Sequence, residues 1–128
     1  MVGIVIVSHS QKLAEDIVDL AHLMAADAPM RAAGGMEDGG FGTSYDKIET
    51  AIEDIYTDDG VIVLMDLGSA VMTTEAVLEE MKDDDKLVEM VDCPIVEGAI
   101  AASVVAAGGA SIEDVIEAAR SARDMAKF

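Results

Sequence analysis

Two kinds of hydrophobic spacing alternate along the chain. Val2-Gly3-Ile4-Val5-Ile6-Val7 and Val61-Ile62-Val63-Leu64-Met65 carry no polar position at all, the pattern of strands covered on both faces. Met30-Arg31-Ala32-Ala33 forms a weaker second strand, and Leu87-Val88-Glu89-Met90-Val91 a fourth, stopped by Pro94. Between them the spacing turns helical. Leu13, Ile17, Leu20, Ala21 and Met24 share one face of a helix that Ser10 caps,. Ile48, Ala51, Ile52 and Ile55 do the same after Thr43 and Ser44, as do Val71, Val77, Leu78 and Met81 after Asp66-Leu67-Gly68-Ser69. Ala99 to Ala107 is apolar apart from Ser103, which predicts a helix buried nearly all round,. Ser111, with Asp114 three residues on, starts a last helix whose inner face is Val115, Ile116, Ala119 and Ala122,.

Strand–helix units of this length imply a parallel sheet with helices on both faces. The expected architecture is a three-layer α/β sandwich of four strands in the order 2-1-3-4, as a single domain over residues 1–128. No internal repeat, linker or low-complexity stretch interrupts it.

Composition narrows the function classes. The chain has 26 Asp+Glu against 8 Lys+Arg, a formal net charge of −18. Such a surface repels polyanions, which argues against nucleic acid as a partner. With 52% hydrophobic residues, the chain is not a disordered acidic tail. The acids are spread along the sequence, and molar salt shortens the screening length to about 3 Å. The excess therefore reads as adaptation to a salt-filled cytoplasm. The single cysteine, Cys93, allows no internal disulfide,. No apolar run is long enough for a membrane span, and the N-terminus lacks the basic region of a secretory signal,. The expected compartment is the cytoplasm.

In parallel sheets ligands bind outside the carboxyl ends of the strands, so the candidate chemistry lies in the turns there. His9 follows the first strand and precedes a helix start. If the first and third strands are neighbours, their ends lie about 4.8 Å apart and Asp66 stands beside His9. A carboxylate accepting from one ring nitrogen fixes the tautomer and leaves the other nitrogen nucleophilic. The helix start behind His9, with Ser10, offers N–H groups suited to a phosphoryl group. Gly39, Gly42, Thr43 and Ser44 lie in a glycine-rich loop leading into a helix, either a second anion site or a flexible surface loop,. Gly68 and Ser69 make a third helix start on the same edge. Three such starts around one histidine favour a phosphohistidine over a metal. The only other histidine, His22, lies thirteen residues along the first helix, where it reads as a surface or partly buried residue.

The segments Gly3-Ile4-Val5-Ile6-Val7-Ser8-His9-Ser10, Ala33-Gly34-Gly35 through Gly42-Thr43-Ser44-Tyr45-Asp46, Met65-Asp66-Leu67-Gly68-Ser69-Ala70 and Pro94-Ile95-Val96-Glu97-Gly98-Ala99 resemble the mannose-type EIIA domains of the sugar phosphotransferase system. Within them they resemble the DhaM branch, the phosphotransfer subunits of phosphoenolpyruvate-dependent dihydroxyacetone kinases. The resemblance covers essentially the whole chain. It implies that His9 accepts a phosphoryl group from phospho-HPr, at Nε2, and passes it to ADP on the nucleotide-binding kinase subunit. That subunit in turn phosphorylates dihydroxyacetone held on a third subunit. The resemblance also implies a homodimer, with an edge strand supplied by the partner chain and Ile95, Val96 and the apolar helix serving the contact. Related chains carry further HPr-like and enzyme-I-like domains, so HPr and enzyme I are expected as separate proteins here. No cofactor and no metal ligand set is expected.

Three other readings compete. A response-regulator receiver needs acidic residues after the first strand and a late lysine, and this chain offers Ser8-His9-Ser10 and no such lysine. A non-enzymatic nucleotide-binding module would explain the glycine loop alone. An EIIA feeding a membrane sugar transporter differs only in the final acceptor.

Overall fold

A computed structural model describes all residues, Met1–Phe128. The elements run β1 (Gly3–Ser8), α1 (Gln11–Met24), β2 (Met30–Gly34), α2 (Tyr45–Ile55), β3 (Val61–Met65), α3 (Gly68–Lys82), β4 (Val88–Met90), α4 (Ile95–Ala107) and α5 (Ile112–Ser121), with a final 3₁₀ turn at Ala122–Asp124. The four strands are all parallel, in the order β2-β1-β3-β4. The alternation of strand and helix leaves little else possible, because each parallel pair needs a crossover.

The unbroken apolar runs have a direct cause. Ile4, Ile6, Ile62 and Leu64 project to one side of the sheet, into a core shared with α1, α4 and α5. Val5, Val7, Val61 and Val63 project to the other, against α2 and α3. Every position of β1 is buried, so polar residues have no place to alternate. Helix starts follow the caps that the sequence offers. Ser10, Ser44 and Ser111 each accept a hydrogen bond from the backbone N–H three residues on,.

Two helices depart from the hydropathy pattern. The inward face of α1 is Ala14, Ile17 and Ala21, whereas Leu13, Leu20 and Met24 are exposed. Size decides here. A Cβ placed on Gly34 at the end of β2 would lie 2.8 Å from the Ala14 Cβ and 2.7 Å from the Gln11 Cα. Where α1 passes Gly34 there is room only for the Ala14 methyl, and Ile17 and Ala21 follow on the same face. Likewise α4 buries Gly98, Ala99, Ala102, Ser103 and Ala106 while Val104 is exposed, so it is not covered all round. The fourth strand is also shorter than its apolar run and half-buried, as befits a sheet edge.

No helix is long and apolar enough to cross a membrane.

Candidate functional site

The site grows from the register of two strands. Val7 of β1 pairs with Met65 of β3, so the residues that follow leave the sheet side by side at its carboxyl edge. Asp66 donates its N–H to the Val7 carbonyl at 3.2 Å, extending the ladder by one bond. Its carboxylate then faces Ser8 and His9.

That carboxylate is held by four donors. Oδ2 accepts from the Ser8 hydroxyl at 2.9 Å and from the His9 backbone N–H at 3.0 Å. Oδ1 lies 3.0 Å from His9 Nδ1 and accepts from the Leu67 N–H at 2.8 Å. Burial alone would raise the pKa of Asp66,. The His9 N–H, the His9 ring and the Ser8 hydroxyl outweigh it and hold the carboxyl below its ordinary value,. An ionised carboxylate only accepts, so Nδ1 carries the ring proton in neutral His9 and Nε2 carries the lone pair. Ser69 Oγ lies within hydrogen-bonding reach of Nε2. The imidazole is thus strung between Asp66 and Ser69, with its side chain 24% exposed and that of Asp66 12%. Both are partly buried, and the ring is the more exposed of the two.

The other residues singled out in the sequence divide into two groups. Ser10, Gly42, Thr43, Gly68 and Ser69 stand around the histidine or its immediate supports. Ser10 caps α1 through Leu13 and donates its own N–H to the Ser8 hydroxyl at 3.0 Å. Gly42 donates to the His9 carbonyl at 2.9 Å, tying the glycine loop to the histidine. Thr43 shares a hydrogen bond of 2.8 Å with Thr73, whose hydroxyl lies 3.5 Å from the Ser69 carbonyl. Gly68 and Ser69 open α3 behind Leu67, which provides no side-chain cap. Their N–H groups donate to no protein acceptor, and a Cβ on Gly68 would meet nothing within 4 Å.

Gly39 and Ser44 serve the loop itself. Gly39 adopts φ 87° and donates to the Met36 carbonyl at 3.0 Å. The Ser44 hydroxyl caps α2 and donates to Glu37. Unengaged amides thus stand both at the start of α3, on Gly68 and Ser69, and in the glycine-rich loop, on Phe41, Thr43 and Ser44.

Sequence reasoning left out two residues, Ser8 and Thr73. Ser8 is wholly buried although it ends a strand next to a candidate site. A buried hydroxyl at that point needs a partner, and the register places Asp66 beside it. Thr73 had no such signal. His22 is partly buried and reaches the Ala28 carbonyl from Nε2 at 3.0 Å, closing the end of α1 onto the turn before β2.

Similarity to known proteins fixes the family. Residues 3–116 match the EIIA-man family model, described as the PTS system fructose IIA component. The phosphoryl donor subunit DhaM of the PEP-dependent dihydroxyacetone kinase of Escherichia coli K12 is 40% identical over 121 residues, 91% of this chain and 26% of that protein. The phosphotransferase subunit DhaM of the PTS-dependent dihydroxyacetone kinase of Lactococcus lactis is 38% identical, and the match covers 90% of both chains. This chain spans about a quarter of the first relative and nearly all of the second. The crystal structure of EF1359, a protein of unknown function, superposes with a TM-score of 0.81 at 29% identity, covering 94% of each chain. The chain belongs to the EIIA-man family, in the branch formed by the DhaM subunits.

Proposed function

We propose that this chain is a phosphocarrier. His9 takes a phosphoryl group from phospho-HPr and delivers it to ADP bound on the nucleotide-binding subunit of a dihydroxyacetone kinase. The observation that carries the reading is the string Asp66–His9–Ser69, in which one ring nitrogen is protonated against a carboxylate and the other presents its lone pair to the Ser69 hydroxyl at the rim of the sheet. The two DhaM relatives support the acceptor, each being a subunit of a dihydroxyacetone kinase.

The atoms balance without a proton changing hands. The Nε2 lone pair attacks phosphorus, the bond from phosphorus to the donor's histidine breaks, and its electron pair returns to that ring. His9 then carries a positive charge shared with Nδ1–H, which Asp66 faces at 3.0 Å. In the second half an oxygen of the ADP β-phosphate attacks phosphorus. The N–P pair returns to Nε2 and the ring is neutral again. Asp66 stabilises the charged ring and fixes its orientation. The Ser69 hydroxyl, released from Nε2, and the Gly68 and Ser69 N–H groups meet the phosphate oxygens, with Thr43 bounding the same space. Catalysis of this kind is positioning and electrostatics.

The test is reconstitution. Enzyme I, HPr, phosphoenolpyruvate and the two kinase subunits are combined with and without this chain, and phosphorylated dihydroxyacetone is measured. Product that appears only with the chain supports the reading. A phosphorylated chain that gives up its label only to a sugar-transporter component assigns it to transport instead.

A further inference from the structure

Beside the Asp66–His9 pair, on the side away from the glycine loop, the carboxyl ends of β3 and β4 and the side of α5 enclose a cleft of about 470 Å³. Asp66 and Gly68 form one wall, Met65 and Met90 contribute apolar surface, and Arg120 of α5 stands on the far side. Its volume and its mix of apolar walls with few polar groups fall in the range of small-molecule sites, about 300–1,000 Å³.

Arg120 is the one cation that lines this cleft. Lys12 pairs with Asp16, Lys127 with Glu97 and Arg123 with Asp92. Asp92 also lines the cleft, yet its carboxylate faces Arg123 at 3.3 Å, and Arg123 donates to the Asp92 carbonyl as well. Arg120 makes no ion pair and no side-chain hydrogen bond, in a chain of net charge −18. Asp92, Glu117 and Asp124 stand on its outer side without engaging it, so its donors stay available to an anion in the cleft,.

We infer that this cleft receives the diphosphate of the acceptor nucleotide, with Arg120 as its anchor; the inference rests on the phosphocarrier reading. Transfer from His9 brings a phosphoryl group and a nucleoside diphosphate, both anionic, onto a surface that repels them. A guanidinium in the cleft that shares a wall with Asp66 offsets that repulsion and offers bidentate donors to phosphate oxygens. The incoming β-phosphate oxygen forms its bond to phosphorus as the Nε2–P bond breaks, the pair returning to Nε2. Arg120 is a positioning residue for this half of the reaction.

Single-turnover rates of loading from phospho-HPr and of unloading onto ADP-charged kinase subunit test the assignment. Arg120→Ala lowers the ratio of unloading to loading about ten-fold, Arg120→Glu lowers it further, and Arg120→Lys restores most of it. Arg120→Glu also weakens binding of the ADP-charged kinase subunit more than that of the ADP-free subunit. An unchanged rate ratio in Arg120→Glu overturns the assignment. Equal weakening of both forms of the kinase subunit also overturns it, because the anchor then reads a protein carboxylate. A wild-type chain that never loads His9 overturns the phosphocarrier reading itself, and a chain that loads and unloads normally regardless of residue 120 overturns this site alone.

Discussion

The Ser8 hydroxyl donates to Oδ2 of Asp66 at 2.9 Å while accepting the Ser10 N–H at 3.0 Å. A buried strand end thus locks the carboxylate before the carboxylate orients the histidine. Replacing Asp66 by Asn keeps the shape but removes the charge facing His9 Nδ1. The expected result is an intact fold, a stability loss of about 1–2 kcal/mol from weakened hydrogen bonds, and phosphoryl transfer slowed on the order of 10²-fold, about 2.7 kcal/mol of barrier. Stopped-flow transfer rates and denaturant melts measure the two effects separately.

Acid titration reads the same group. Asp66 is held below its ordinary value in the folded chain, so its contribution to stability is complete above the unfolded carboxyl value, about 4. It declines as pH falls through the lower folded value. Melting temperatures between pH 5 and pH 2 are expected to fall more steeply for the wild type than for Asp66→Asn. Parallel curves would remove Asp66 from the acid response.

Two glycines give opposite outcomes. A methyl group on Gly34 would stand 2.5 Å from the Ser10 carbonyl oxygen and 2.7 Å from the Gln11 Cα, contacts that only backbone movement relieves. Gly34→Ala is expected to cost about 1–3 kcal/mol and to slow transfer by shifting the turn that carries His9. Gly68 opens α3 with nothing within 4 Å of the added carbon. Gly68→Ala should leave stability unchanged or raise it by up to about 1 kcal/mol. It should nevertheless slow transfer, because the methyl group occupies space that phosphate oxygens approach. Chemical melts and transfer rates on the two variants check both statements.

These positions show which parts of the account sequence alone could reach. Runs such as Val61-Ile62-Val63-Leu64-Met65 declare a doubly covered strand because both neighbouring layers demand apolar contact. With β1 and β3 taken as neighbours, the meeting of His9 with Asp66 follows, since register delivers residue 66 to residues 8 and 9. The rotation of α1 was not legible. Leu13, Leu20 and Met24 outrank Ala14 and Ala21 in hydropathy, but the close approach of α1 to Gly34 selects by size. Nor could composition tell that the amides of Gly39 and Gly42 are engaged by Met36 and His9 while those of Gly68 and Ser69 are not. Hydrogen-bond accounting requires coordinates. The bond between Thr43 and Thr73 joins two segments that no local pattern links.

Cys93 supplies a test away from the site. Its thiol packs so near Gly98 that a Cβ there would lie 2.4 Å from the sulfur. Burial, with the negative charge of Asp92 beside it, pushes the thiol up to about 11. At neutral pH it is protonated and a poor nucleophile. Alkylation of the native chain by iodoacetamide, followed by mass spectrometry, should be at least ten-fold slower than for an exposed thiol and should accelerate as pH rises toward 11. Rapid labelling at pH 7 would contradict the packing.

The most direct measurement concerns His9 itself. The chain is incubated with enzyme I, HPr and labelled phosphoenolpyruvate, and the modified residue is mapped by its stability in alkali and lability in acid. The account predicts one phosphoryl group per chain on His9, none on His9→Ala or His9→Gln, and unaltered circular dichroism in both variants. Label that persists on a folded His9→Ala chain would contradict it.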